Sequence, residues 1–348
     1  MTESMPFDPN AIGQKHLGIF GLPFTVEDAQ TVVLPVPWEV TTSYGGGTAQ
    51  GPQAILDASY QVDLYHPDFA NAWETGLAMA PISEYWVEKN AALKPKAQQI
   101  IEALEEGQNI EENESLQSIL EEINAASFEL NNWVKEQTLL YLEQGKNVVL
   151  LGGEHSTPLG YYHAMADHYG SYGILHIDAH MDLRIAYEGF EYSHASIMYN
   201  ALASTHAINR LVQVGVRDYC EEEAQAVLQS KGRIKTFSDL DIRKDLYSGK
   251  TWQSICKKIV NALPKNVLIS FDIDGLKPSL CPHTGTPVPG GLEFEEVMYL
   301  LSMVSSSRAI IGFDLVEVSP GTLDLDANVG ARALYHLFGY MLTSKEIE

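Results

Sequence analysis

Positive charge is scarce in this chain: 22 lysines and arginines stand against 46 aspartates and glutamates, a formal net charge of −24. Nucleic acid, with its dense phosphate charge, would be repelled, which excludes it as a partner. Cysteine is scarce as well. Cys220, Cys256 and Cys281 are odd in number, far apart and outside any Cys-x-x-Cys spacing, a pattern expected of reduced thiols in a cytoplasmic protein. No apolar run reaches the roughly 18 residues needed to span a membrane. The opening Met1-Thr-Glu-Ser-Met-Pro6 has no basic stretch followed by an apolar one, so no secretory leader is expected.

What is present is an ordinary globular composition, 348 residues of which 45% are hydrophobic. A chain of this size buries roughly 75% of its unfolded surface and folds without a metal staple. Any metal it binds is then expected to serve catalysis. Eight glutamates and no basic residue lie between Glu102 and Glu122, so part of the acidity is local. The stretch around 100–115 reads as an acidic surface insertion in a single domain spanning 1–348.

Apolar residues recur at helical spacing from Ser115 to Leu142, stopped by Gly145 and Lys146. Thr31-Val-Val-Leu-Pro-Val-Pro37 reads as a short strand ended by proline. Beyond residue 146 short apolar runs alternate with helical stretches: Val148–Gly152, Gly173–Asp178, Leu211–Val216, Ile234–Phe237, Val267–Asp272 and Ala309–Val316. Such alternation predicts parallel pairing in one α/β sheet.

Four stretches at or just past predicted strand ends carry the chemistry, on the sheet edge where open α/β folds bind ligands. Gly152-Gly-Glu-His-Ser156 turns sharply and presents His155. Leu175-His-Ile-Asp-Ala-His-Met-Asp182 places His176, Asp178, His180 and Asp182 on one face by strand alternation, with His176 deepest and read as a core or supporting histidine. Ser270-Phe-Asp-Ile-Asp274 adds Asp272 and Asp274, and Gly312-Phe-Asp-Leu-Val-Glu-Val-Ser-Pro320 adds Glu317. Carboxylates and imidazoles crowded on one face repel and desolvate one another unless a cation joins them. Two imidazoles and four carboxylates exceed what one catalytic ion needs and suit two ions roughly 3.5–4 Å apart, able to activate water without a serine or cysteine nucleophile. Mixed nitrogen and oxygen donors suit manganese, with iron, nickel, cobalt and zinc as alternatives.

These four motifs, in this order, resemble the signatures of the ureohydrolase family of arginases, agmatinases and formimidoylglutamases, from about residue 30 to the C-terminus. The resemblance implies an arginase-like three-layer α/β/α sandwich around a mostly parallel sheet, assembled as a homo-oligomer (trimer or hexamer). It implies two Mn2+ per chain: His155 and Asp182 on one, His180 and Asp274 on the other, Asp178 and Asp272 bridging. Glu317 corresponds to the carboxylate that pairs with the substrate's guanidinium. His194, in Tyr192-Ser-His-Ala-Ser196, corresponds to a loop histidine that passes a proton to the leaving amine. Glu154 stands where arginases carry aspartate and agmatinase-like members often carry glutamate.

The loop Leu183–His194 lacks the asparagine- and serine-containing stretch by which arginases read an amino-acid head group, and resembles agmatinases instead. The expected reaction is therefore hydrolysis of agmatine, a small cationic guanidino compound, to putrescine and urea. Alternatives are arginine, guanidinobutyrate, guanidine or formimidoylglutamate as substrate, or a homologue that binds without catalysis. A two-metal phosphohydrolase is disfavoured, since no basic phosphate clamp accompanies the motifs.

Overall fold

A computed structural model describes residues 7–322 and 324–344; the opening Met1–Pro6, where no leader is expected, lies outside the described residues. Eight strands form one sheet: β1 (Thr31–Val36), β2 (Leu77–Met79), β3 (Asn147–Gly152), β4 (Tyr172–Ile177), β5 (Ile208–Val214), β6 (Ile234–Phe237), β7 (Asn266–Asp272) and β8 (Ala309–Val316). Their order across the sheet is β2-β1-β3-β8-β7-β4-β5-β6, and every ladder is parallel.

Continuous apolar runs such as Val-Val-Leu-Leu in β3 suit strands covered on both faces. Alternate residues indeed enter opposite cores. Val149, Leu151, Leu175 and Ile177 belong to one apolar cluster, and Val148, Leu150 and Ile174 to the other. The first cluster is closed by helices including Phe294–Ser305 and Leu325–Leu342, the second by helices including Glu84–Glu105 and Glu114–Glu143. The fold is thus the expected α/β/α sandwich.

The Glu114–Glu143 helix matches the apolar periodicity. Asn113 caps it by accepting from the Ser115 and Leu116 N–H groups, and Gly145 ends it at φ 76°. Elements that the sequence did not predict include β2, of three residues, the Leu325–Leu342 helix, and the Glu84–Glu105 helix, which contains Pro95. A proline inside a helix removes a hydrogen bond, yet Trp86, Leu93, Ala97, Ile100 and Ile101 are buried on this helix and their packing outweighs that loss. The link from this helix to the next, residues 106–113, runs over the surface with side chains largely exposed. No helix among the described residues is long and apolar enough to cross a membrane.

Candidate metal centre

The strand order explains the site. β3, β8, β7 and β4 are consecutive neighbours at the centre of the sheet, and register aligns their C-terminal ends: Leu151 with Leu315, Val316 with Asp272, Ile177 with Phe271. Motifs far apart in the chain therefore leave the sheet side by side. All six expected ligands, His155, Asp178, His180, Asp182, Asp272 and Asp274, converge there.

The route by which Asp178–Asp182 converge differs from the strand alternation expected of them. β4 ends at Ile177, and the following chain is a loop pinned at several points. Asp178 Oδ1 accepts from the His180 N–H at 2.6 Å, Ala179 N–H donates to Asp274 Oδ1 at 2.9 Å, and the Met198 N–H donates to the Asp182 carbonyl at 3.0 Å. Asp182 adopts φ 55°, which an L-residue avoids unless its surroundings impose it. Asp274 likewise sits in a 3-10 turn past β7, its N–H donating to Asp272 Oδ1 at 2.8 Å.

Two groups of ligand atoms result. Around His155 Nδ1 lie Asp178 Oδ2 at 3.0 Å, Asp182 Oδ2 at 3.1 Å and Asp272 Oδ2 at 3.2 Å. Around His180 Nδ1 lie Asp274 Oδ2 at 3.1 Å and Asp178 Oδ1 at 3.4 Å. Asp178 thus gives one oxygen to each group. Asp272 joins the first group, and its second oxygen faces the Asp274 backbone.

Hydrogen bonds fix one ring nitrogen of His155. Its Nε2 lies 2.9 Å from Ser270 Oγ, whose own O–H donates to Asp314 Oδ1 at 3.0 Å. Tyr162 O–H also donates to this pair, at 2.9 Å to each. Ser270 can then only accept from His155, so Nε2 carries a hydrogen, and the neutral ring would offer its Nδ1 lone pair to a metal. Nδ1 is buried without a hydrogen-bond partner among the described residues and faces three carboxylate oxygens; burial opposes a proton there, but Asp178, Asp182 and Asp272 raise the ring's pKa well above its ordinary value. Three carboxylates crowded on one imidazole nitrogen out of water need a cation among them, and a metal ion bound by the neutral ring supplies it. The residues present therefore fit a metal ion. Consistently, burial and then the neighbouring Asp274 and Asp178 push the Asp272 carboxyl well above the usual carboxylate range.

His176 supports the first group as read. Fully buried, it lies 2.7 Å from Asp178 Oδ2 through Nε2, and Gln213 Nε2 reaches its Nδ1 at 3.1 Å. An amide N–H donates there, so His176 Nε2–H is the donor to Asp178.

Glu317 follows β8 at φ 61°. Its N–H donates to Gly153 O at 2.7 Å and its carbonyl accepts from Thr284 O–H at 2.9 Å. The carboxylate Oε1 accepts from the His155 N–H at 2.8 Å, while Oε2 is buried with no partner among the described residues. Gly285 faces that oxygen, and a Cβ there would lie 3.0 Å from it. Burial, then Glu154, pushes the Glu317 carboxyl up; an arriving cation would reverse this. The half-buried His194 is pushed down to about 3, first by burial and then by His180.

A cavity of about 260 Å³ opens onto His155, His180, Asp272, His194 and Glu317. Its wall also holds residues that the motifs did not point to: Tyr44, Asp218, Tyr219 and Glu223. Asp218 follows β5 on the same sheet edge and forms a β-bridge with His180, so the rule that pointed to the expected ligands applied to it as well. Arg184 also lines the cavity, over the Tyr187 ring at 4.7 Å and 3.8 Å from Glu223.

With this geometry in view, the comparisons with known proteins agree. The model of the arginase family matches residues 29–342. The chain is 32% identical over 315 residues to an N(1)-aminopropylagmatine ureohydrolase of Thermus thermophilus, covering 90% of each. It is 28% identical over 313 residues to an agmatinase of Klebsiella pneumoniae, covering 89% of this chain and 86% of that one. The solved agmatine ureohydrolase of Thermoplasma volcanium superposes with a TM-score of 0.69 at 22% identity, over 94% of this chain and 95% of that one.

Proposed function

We propose that this chain, a hydrolase that belongs to the arginase family, binds two divalent ions and cleaves the guanidino C–N bond of agmatine to give urea and putrescine. The observation that carries the metal part is the buried His155 Nδ1, without a hydrogen-bond partner among the described residues, facing three carboxylate oxygens. His155, Asp178, Asp182 and Asp272 would hold one ion, and Asp178, His180 and Asp274 the other; the family resemblance adds Asp272 as a second shared ligand. When bound, such a pair supplies a water of lowered pKa, a nucleophile at neutral pH; manganese suits the mixed donor set.

The protein's own groups do the rest. Glu317 Oε2, buried and free of partners among the described residues, receives a guanidinium N–H in a charge-assisted hydrogen bond and holds the guanidino carbon over the two ligand groups. His194, on the cavity wall, passes a proton to the nitrogen that leaves as the amine. At the far end the exposed Asp218 carboxylate faces the terminal ammonium. Arg184 is engaged by Glu223 and Tyr187, which weakens its hold on a substrate carboxylate. Reading the family resemblance further, the enzyme is a cytoplasmic trimer or hexamer.

A second reading has a specific support. The Thermus relative is named for N(1)-aminopropylagmatine, and the rim rings of Tyr44 and Tyr219 are exposed, able to cover a longer polycationic chain. Urea release from agmatine, N(1)-aminopropylagmatine, arginine, guanidinobutyrate and guanidine, with and without manganese, tests both. Manganese-dependent urea from either of the first two is expected. Release from arginine alone overturns the substrate assignment, and release from none by metal-loaded protein overturns the activity.

A further inference from the structure

We propose that Thr41 is the positioning residue for His194, its hydroxyl holding the imidazole so that Nε2 is the nitrogen offered to the leaving amine. Thr41 lies just past β1, a strand outside the four that carry the ligands, and its side chain is fully buried. Its Oγ1 accepts from the His194 N–H at 3.0 Å and meets the same residue's Nδ1 at 3.3 Å. One hydroxyl thus grips both the backbone and the ring of a residue 153 positions away. Whichever partner donates in the second contact, Nδ1 is engaged. Among the described residues no side-chain or backbone group hydrogen-bonds His194 Nε2.

The hydroxyl is itself held. The Thr41 N–H donates to Glu154 Oε2 at 2.8 Å, and the Thr42 hydroxyl donates to the same oxygen at 3.2 Å. From the other side the Glu84–Glu105 helix clamps the segment with two residues four apart, on one helical face. Asn90 Oδ1 accepts from the Glu39 N–H at 2.7 Å, and Lys94 Nζ donates to the Thr42 carbonyl. A segment tied at residues 39, 41 and 42 presents a fixed hydroxyl, which is what orientation of a proton-transfer group demands.

This inference rests on His194 acting as that group, and the experiment separates the two. Metal-loaded wild type, Thr41→Val, Thr41→Ser, His194→Ala and the Thr41→Val/His194→Ala double variant are compared for kcat, KM and metal content with the best substrate found. Thr41→Val is expected to lower kcat by roughly 10- to 100-fold, the scale of a misplaced catalytic group, with KM and metal content unchanged. Thr41→Ser, which keeps the hydroxyl, is expected to recover most of kcat. The double variant is expected to be no slower than His194→Ala alone, because both changes remove one function. Thr41→Ala replaces Thr41→Val if the added methyl beside Glu154 prevents folding. A slow His194→Ala with wild-type rates in Thr41→Val, an equal loss in Thr41→Ser, or loss of metal from Thr41→Val overturns the positioning role. Full activity of His194→Ala overturns instead the assignment of His194.

Discussion

Asp178 Oδ2 and His155 Nδ1 stand 3.0 Å apart, both buried, with no hydrogen bond formed by Nδ1 among the described residues. Since Asp178 turns its other oxygen to His180, its two oxygens reach both ligand groups. Asp178→Asn should therefore deplete both ions. Metal analysis of manganese-reconstituted protein should approach two ions per wild-type chain and fall toward zero in the variant, with activity lost. A ceiling of one ion per wild-type chain would refute the shared-carboxylate arrangement.

Glu317→Gln keeps the shape of the side chain and removes the charge. Losing a hydrogen bond to a charged group costs about 1.5–3 kcal/mol, roughly 10- to 150-fold at 1.4 kcal/mol per tenfold. The fall should appear in kcat/KM with two ions retained. Metal loss in this variant would mean that Glu317 is a ligand.

Agmatine should exceed arginine by at least about tenfold in kcat/KM, the lower end of what one missed charged contact costs. Asp218 should carry part of that preference: Asp218→Asn is expected to raise KM for agmatine with little change in kcat. If guanidinobutyrate proved the best substrate, Arg184 rather than Asp218 would be the residue reading the chain end, and Arg184→Gln would abolish its turnover.

Acid should destabilise the fold partly through His336. Its ring is packed among His66, Phe69 and Phe294, with centroids at 5.0, 5.6 and 5.5 Å, and burial, aided by His66, holds its pKa below the ordinary value. The unfolded chain then binds this proton more readily than the folded one. Stability from the group is present above the unfolded value of about 6.5 and is lost as pH falls through the folded value. Urea unfolding at pH 7 and pH 5 should show a smaller acid loss for His336→Gln than for wild type. Equal losses would clear His336 of the effect.

The ligand types were legible in the sequence because each is local. A short apolar run ends, the chain turns, and a histidine or aspartate stands at the turn, as with His155 after β3 and Asp272 at the end of β7. The eight-strand sheet itself was mostly readable for the same reason, since runs buried on both faces leave no polar alternation to confuse them. Where propensity argued against the element, reading failed: β2 is too short to show a pattern, and Pro95 masked a helix held by packing.

What the sequence could not decide was who stands beside whom. The neighbours β3, β8, β7 and β4 are set by crossover packing, not by chain order, and only that order brings Glu317 to the His155 backbone. The faces of Asp178–Asp182 are set by loop hydrogen bonds and a left-handed Asp182, where strand alternation no longer applies. Thr41, Lys94 and Asp218 belong to no motif, because their roles come from contacts with residues remote in the chain. The sequence alone determined the chemistry available to this protein, since donor types are written residue by residue; the tertiary structure alone decided its geometry, since distances between remote residues exist only once the chain has packed.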